Sequence, residues 1–268
     1  MWGSATLVFL IFSQVPDPAR AIAGQNERQE AMDAFRRVHG LDLPLAQRYL
    51  RFLGDLSPWG PHDTGWGLKA PSLGVSYFGE RPVADALMEA LPATLLLAVT
   101  AMGLALVLGV AMGLALAWRG DGAVARLVIG LATLGMSAPS FFVAILVAWL
   151  FGVVWHDMTG LPPSGGWRVL DPFDGPQVAW HHLILPALTL GIRPLSVVIQ
   201  LTRNAAEDVL AQSYIRTARA KGVGGWRLMQ RHVSRNAMNP VLTAASGWFA
   251  SMLAGAVFVE FVFGWNGM

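Results

Sequence analysis

The sequence predicts an all-α polytopic membrane protein, and three observations predict it. Of the 268 residues, 54 % are hydrophobic and only 13 % charged, with a mean hydropathy of +0.48, well away from the balance of a soluble domain. Three stretches, residues 90–118, 127–156 and 236–259, contain no Asp, Glu, Lys or Arg. Each is long enough to cross a hydrocarbon core of about 30 Å at about 1.5 Å per helical residue. The charge between them is uneven, with basic segments alternating with an acidic one, as in a chain that crosses a bilayer repeatedly. Cysteine is absent, which excludes disulfide frameworks, zinc fingers and cysteine nucleophiles.

Residues 1–15, MWGSATLVFLIFSQV, are apolar but too short to cross a bilayer as a straight helix. They lack the basic start and small-residue cleavage site of a signal peptide, so the expectation is a partial first span. Residues 16–89 are expected to form an external segment. Within it NERQEAMDAFRRVHG, 26–40, reads as a short amphipathic helix stopped by Gly40, and PLAQRYLRFLG, 44–54, as another, begun by Pro44 and ended near Gly54. SPWGPHDTGWGLKAPSLG, 57–74, is rich in Gly, Pro and Trp and reads as loop. Its Trp59 and Trp66 belong either at the lipid headgroup level or in loop packing.

From residue 90 the long apolar spans begin. Residues 90–118 are 29 residues, roughly 43 Å as a helix, and span with tilt or overhang. GVAMG at 109–113 has the spacing of small residues that lets membrane helices approach closely. The next span, 127–155, contains MSAPSFF, where Pro139 removes a backbone donor and bends the helix. A span over 179–202, AWHHLILPALTLGIRPLSVVIQLT, carries Pro186, Arg193 and Pro194. The last, 240–263, starts at Pro240, a natural first-turn position.

Loop charge sets the sides. Segment 119–126 has Arg119 and Arg126 against Asp121, and segment 203–239 has seven Lys or Arg against Glu207 and Asp208. Segment 156–182 has only Arg168 against Asp157, Asp171 and Asp174. The two basic segments are expected in the cytoplasm and the acidic one outside, and alternation puts 16–89 outside too.

The sequence holds no Gly-x-x-x-x-Gly-Lys-Ser/Thr loop, no Gly-x-Gly-x-x-Gly, no His-Glu-x-x-His and no Gly-x-Ser-x-Gly. No catalytic, cofactor or metal site is expected in this chain, so any ATP and Mg must be bound elsewhere. His181 and His182 adjoin each other, but neighbouring residues point about 100° apart on a helix and make a poor metal pair. Segment 213–240 carries six Lys or Arg and no acid. It reads as a helix over 204–221, a break at Gly222, Gly224 and Gly225, and a second helix over 225–238 with Arg227, Arg231 and Arg235 on one stripe. From charge alone this hairpin is either a lipid-headgroup loop or a protein-docking element. Nucleic acid is not expected as a partner, because the hairpin has only Tyr214 and Trp226 as aromatics and abuts two spans.

Residue order separates these readings. YIRTARAKG at 214–222 is followed by RHVSRNAMNP at 231–240, and around them stand, in order, VPDPAR at 15–20, ALPATLLLAV at 90–99, SAPSFF at 137–142, LILPALTLG at 183–191, LTRNAAEDVL at 201–210 and AGAVFVEFVFGW at 254–265. This ordered set resembles the inner-membrane permease subunits of ABC importers in the dipeptide, oligopeptide and nickel group. The resemblance covers nearly the whole chain. It implies the type I ABC importer permease fold in a bacterial inner membrane, with a cytoplasmic coupling helix docked into a groove on an ATP-binding subunit. Carried onto this sequence, the coupling residues are Arg216, Thr217, Ala218, Arg219, Ala220, Lys221, Gly222 and Gly225. The implied partners are a second homologous permease subunit, two ATP-binding subunits, an external solute-binding protein and the lipid bilayer. The implied cargo is a di- or oligopeptide or a related small solute such as a nickel chelate or glutathione.

The sequence departs from the family at Arg216, which stands where the general loop motif has glutamate, as is common in the peptide subgroup. Asn266 stands where a proline is expected, and Arg193 lies in a span that is usually uncharged. About five spans are expected, the first partial and the sixth missing, with both ends trimmed. Arg193 and Glu260 are the candidates for the translocation path or gate. Arg193 either pairs with a carboxylate, snorkels, or lines the path for a substrate carboxylate. Glu260 is either part of a gate or a helix-end carboxylate at the interface. A secondary transporter using these two charges without an ATPase is the competing class.

Overall fold

The computed structural model describes residues 2–14, 29–62, 65–76, 81–171 and 175–268. VPDPAR, the start of the 26–40 stretch and Asp174 lie outside the described residues. The described chain divides into two compact units, Met1–Glu89 and Ala90–Met268.

In the first unit, helix α1, Trp2–Ser13, is uncharged and mostly apolar. Phe9 lies 5.2 Å from the Tyr49 ring and 5.4 Å from that of Phe52, and the Thr6 and Tyr49 hydroxyls are 2.7 Å apart. Those partners belong to α3, Leu45–Leu56, which follows α2, Gln29–Val38. Glu30 in the first turn of α2 and Arg36 and Arg37 in the last match the helix dipole. The 57–74 stretch is not all loop: β1, Trp59–His62, and β2, Gly65–Leu68, pair antiparallel with Gly60 opposite Gly67. The fold is therefore mostly helical rather than all-α. Gly and Pro hide the strands from a sequence reading, while the two intervening residues are the length of a tight hairpin loop.

Helix α4, Val83–Arg119, runs 37 residues with Pro92 inside it, so it begins ahead of the uncharged stretch and takes in Asp85 and Glu89. The 127–155 span is two helical pieces. Helix α5, Ala123–Ser137, is separated from α6, Ser140–Trp149, which continues as a π-helical turn at Leu150–Val154, and the pieces meet at 115°. The reason is local. Ala138 sits extended at φ −72°, ψ 137°, the region a residue before proline favours, and Pro139 has no N–H to continue the ladder. The short α7, His156–Thr159, leads to a second hairpin, β3, Arg168–Asp171, with β4, Gly175–Val178.

Helix α8, His181–Leu210, extends eight residues beyond the expected end at Thr202. Then come α9, Ser213–Ala220, α10, Gly225–Leu228, a π-helical turn at Met229–Val233, and α11, Ser234–Phe263. From Gly225 to Phe263 the helix is continuous over 39 residues, so Pro240 lies inside it rather than at its start. The expected 203–239 loop is thus almost wholly helical. Among the described residues three helices, Val83–Arg119, His181–Leu210 and Gly225–Phe263, are long and apolar enough to cross a membrane, and a fourth crossing results if the bent pair counts as one span.

The core forms where α4 and α8 approach closely. A Cβ on Gly109 would stand 2.6 Å from Val198 Cγ1, and one on Gly113 would stand 2.6 Å from Thr202 Cβ and 2.8 Å from the Ile199 carbonyl. The small-residue pair read in GVAMG is therefore the contact surface itself. Leu97 and Ala101 of α4, Leu185 of α8, and Val259 and Phe263 of α11 complete this core. Val99, Val107, Leu131 and Phe261 point outward and are exposed.

Candidate functional site

The basic hairpin is built from an apolar inside and a charged outside. Ile215 and Ala218 of α9 are buried with Leu228, Met229 and Val233 and with Ala206 of α8. That cluster seats α9 on the ends of the two long helices. Asn236 of α11 donates a 3.1 Å hydrogen bond to the Tyr214 hydroxyl and closes the same joint. Arg216, Thr217, Arg219, Ala220, Lys221 and Gly222 are exposed. Ala218, expected among the docking residues, instead faces the hairpin's own core, because helical spacing sets it on the stripe of Ile215.

Gly222 ends α9 in a Schellman arrangement. Its φ is +79°, its N–H donates to the Arg219 carbonyl at 2.9 Å, and the Val223 N–H donates to the Ala218 carbonyl at 3.2 Å. A Cβ at Gly222 would meet nothing within 4 Å. Gly225 has a different role: a Cβ there would stand 2.5 Å from Trp118 Cη2, so this glycine admits the indole at the end of α4. Arg203 of α8 donates to Glu207 at 2.6 Å and also pairs with Asp121. Glu207 is thus already engaged by Arg203, and the cations of α9 face outward with no ion pair among the described residues.

Arg193 stands about half-way along α8. Its Nε and Nη2 each lie 3.4 Å from the Met136 carbonyl, in the last turn of α5 just before the break. Among the described residues it forms no ion pair with a carboxylate. It lines a cavity with Ser140, Thr189, Trp248 and Ser251. Glu260 is elsewhere. It is 3 % exposed, so it is not an interfacial carboxylate, and it accepts a 2.6 Å hydrogen bond from Thr94 of α4 through Oε1. The Thr94 hydroxyl accepts from the Met268 N–H at 2.9 Å, and the Trp265 indole donates to the Ala93 carbonyl at 3.1 Å. Glu260 therefore fastens α11 to α4, and among the described residues its Oε2 has no hydrogen-bond partner. The structure groups Arg216 to Gly222 on one hairpin and does not bring Arg193 and Glu260 into a common site.

His181 and His182 stack edge to face at 4.5 Å, and His182 Nδ1 lies 2.8 Å from the Gly166 carbonyl, which ties the start of α8 to the segment just before β3. No group of metal-binding side chains occurs among the described residues.

Residues 105–268 match the family described as binding-protein-dependent transport system inner membrane component, and residues 4–98 match its N-terminal counterpart. The chain belongs to this family. Over 266 residues, 98 % of this chain and 78 % of the relative, it is 36 % identical to the glutathione transport system permease protein GsiC of Salmonella paratyphi A. The GsiC protein of Escherichia coli K12 is 34 % identical over the same shares. A Brucella abortus protein, provisionally named as a peptide transport system permease protein, is 35 % identical over 98 % of this chain and 79 % of its own length. As a permease subunit of this family, the chain is a membrane component of a bacterial transport system.

Sequence reasoning on the permease missed Met136, Thr94 and Trp118. Met136 and Trp118 act through a backbone carbonyl and a packing surface, which leave no sequence signal. Thr94 did leave one, as a polar residue in an apolar run that needs a partner in a membrane.

Proposed function

We propose that this chain is one permease subunit of an ATP-driven importer for di- or oligopeptides or a closely related small solute. It acts with a second homologous permease subunit, two ATP-binding subunits that hold ATP and Mg, and an external solute-binding protein. The reading is supported by family membership and by relatives named for glutathione and peptide transport. The observation that carries the coupling role is the hairpin itself. Its cations Arg216, Arg219 and Lys221 are exposed while Ile215, Leu228 and Val233 bind it to the ends of α8 and α11. A force applied to that face is transmitted to two long helices through a buried joint, because packed interiors shift as units rather than deforming. On this reading segments 119–126 and 203–239 lie in the cytoplasm and residues 16–89 outside.

Charge reversal tests the docking. The double substitution Arg216→Glu and Arg219→Glu is expected to lower recovery of the ATP-binding subunits with the affinity-tagged permease by at least about tenfold, a loss of about 1.4 kcal/mol. Because both side chains are exposed, the permease itself should accumulate normally. Unchanged recovery would remove this face from the interface. A secondary transporter would show no ATP-binding subunit in either preparation.

A further inference from the structure

We propose that the cavity at the α5–α6 break is an anion-recognition station within the transport path, with Arg193 as its cation and a substrate carboxylate as its ligand. This rests on the reading of the chain as a transport subunit and names the chemistry that one part of its path selects.

The physical case starts from position. Arg193 is twelve residues into α8, about 18 Å from its first residue at about 1.5 Å per residue, and seventeen residues short of Leu210. A cation at that depth is costly in lipid and is retained where it faces a cavity or a partner. No carboxylate supplies the partner among the described residues. The contact it does make, to the Met136 carbonyl at 3.4 Å, is long for a charge-assisted hydrogen bond and uses only the Nε and Nη2 side of the guanidinium. Among the described residues nothing takes the remaining donors, and their planar fork matches a carboxylate.

The surroundings point the same way. Irregular backbone at membrane depth is tolerated where protein covers it or where it lines a water-filled cavity. Here the break borders a cavity: Ser140 at the start of α6, Thr189 of α8 and Ser251 of α11 line the same space as Arg193. Ser251 is exposed, and Thr189 spends its hydroxyl proton on the Leu185 carbonyl at 2.8 Å. The first turn of α6 has no side-chain cap, so its N–H groups add partial positive charge at the same edge. Trp248 and Met252 close the space with apolar surface. One cation, a hydroxyl rim and an apolar wall suit a small carboxylate attached to an apolar body, such as the end of a short peptide.

The chain has no cysteine, so a single introduced thiol reports on the cavity without background. Ser251→Cys in the assembled transporter in proteoliposomes is treated with sulfonatoethyl methanethiosulfonate, an anion, and with its trimethylammonium counterpart, a cation. Each rate is normalised to that of a free thiol. The anion should be favoured on the order of tenfold, as a unit charge lining the same small cavity produces. Arg193→Gln, which keeps an N–H donor for Met136 but removes the charge, should abolish that preference, and Arg193→Lys should retain most of it. Alanyl-phenylalanine should slow labelling where its C-terminal amide does not, and Arg193→Gln should erase the difference. No labelling by either reagent, an anion preference indifferent to Arg193→Gln, or equal protection by acid and amide would each overturn the proposal. An intact anion preference without ATP-driven uptake would instead overturn the transport reading and leave the anion site standing.

Discussion

Gly222→Asp is expected to reduce both peptide uptake and substrate-stimulated ATP hydrolysis by at least about tenfold in reconstituted vesicles, with the permease still present in normal amount. Two effects combine. The φ of +79° costs a side-chain-bearing residue about 1 kcal/mol or more, which loosens the Schellman end of α9. The larger effect is at the partner: a groove that receives Arg216, Arg219 and Lys221 is expected to be acidic, and a new carboxylate in their midst repels it. Within this chain a Cβ at Gly222 meets nothing within 4 Å, so a loss of coupling cannot be assigned to a clash inside the subunit. Gly222→Ala, which carries the backbone cost without the charge, should fall between wild type and Gly222→Asp. Uptake and stimulated hydrolysis that match wild type in Gly222→Asp would remove the hairpin from the coupling mechanism.

Gly113→Leu should prevent the subunit from accumulating as a folded species, read as loss of the monodisperse peak in detergent and a loss of membrane-inserted protein of at least about tenfold. The Cβ alone would stand 2.6 Å from Thr202 Cβ and 2.8 Å from the Ile199 carbonyl. A side chain can rotate away, but a carbonyl of α8 moves only with its helix. Overpacking of this kind costs about 1–3 kcal/mol where the surroundings yield and more where backbone must shift. Gly103→Leu is the control on the same helix: its Cβ would meet nothing within 4 Å, and it should accumulate within about twofold of wild type. Equal accumulation of the two variants would mean that α4 and α8 do not meet at Gly113.

The helical class and the long apolar elements were legible because hydrophobic runs of this length have few alternatives. Helix ends were not. A run free of charge marks the part that lipid covers, whereas the helix itself continues wherever the backbone can. Thus α8 passes Thr202 through Arg203 and Glu207, which support it as a pair four residues apart, and α4 begins at Val83 rather than 90. Pro139 announced a bend, but the 115° between the two pieces depends on tertiary packing that no local rule contains. The two strand hairpins were hidden by their own glycines and prolines. Within the hairpin of α9 and α10, spacing alone could have separated Ala218, on the buried stripe of Ile215, from the exposed Arg216 and Arg219. Gly225 read as a helix breaker and is instead where Trp118 packs, a contact between residues more than a hundred positions apart. The same holds for Thr94 with Glu260 and Met136 with Arg193: each half is visible in sequence, and the pairing is supplied only by the fold.

On the proposed reading, transport through this permease is driven by ATP hydrolysed on other chains and transmitted by the hairpin. The most direct measurement is uptake of labelled dipeptide, with the external binding protein present, into vesicles holding the permease pair and its ATP-binding subunits, supplied either with ATP on the hairpin side or with a proton gradient alone. Accumulation is expected with ATP, none with the gradient alone, and loss of the ATP-driven component in Gly222→Asp. Accumulation driven by the gradient in the absence of ATP, and undiminished by Gly222→Asp, would contradict that reading.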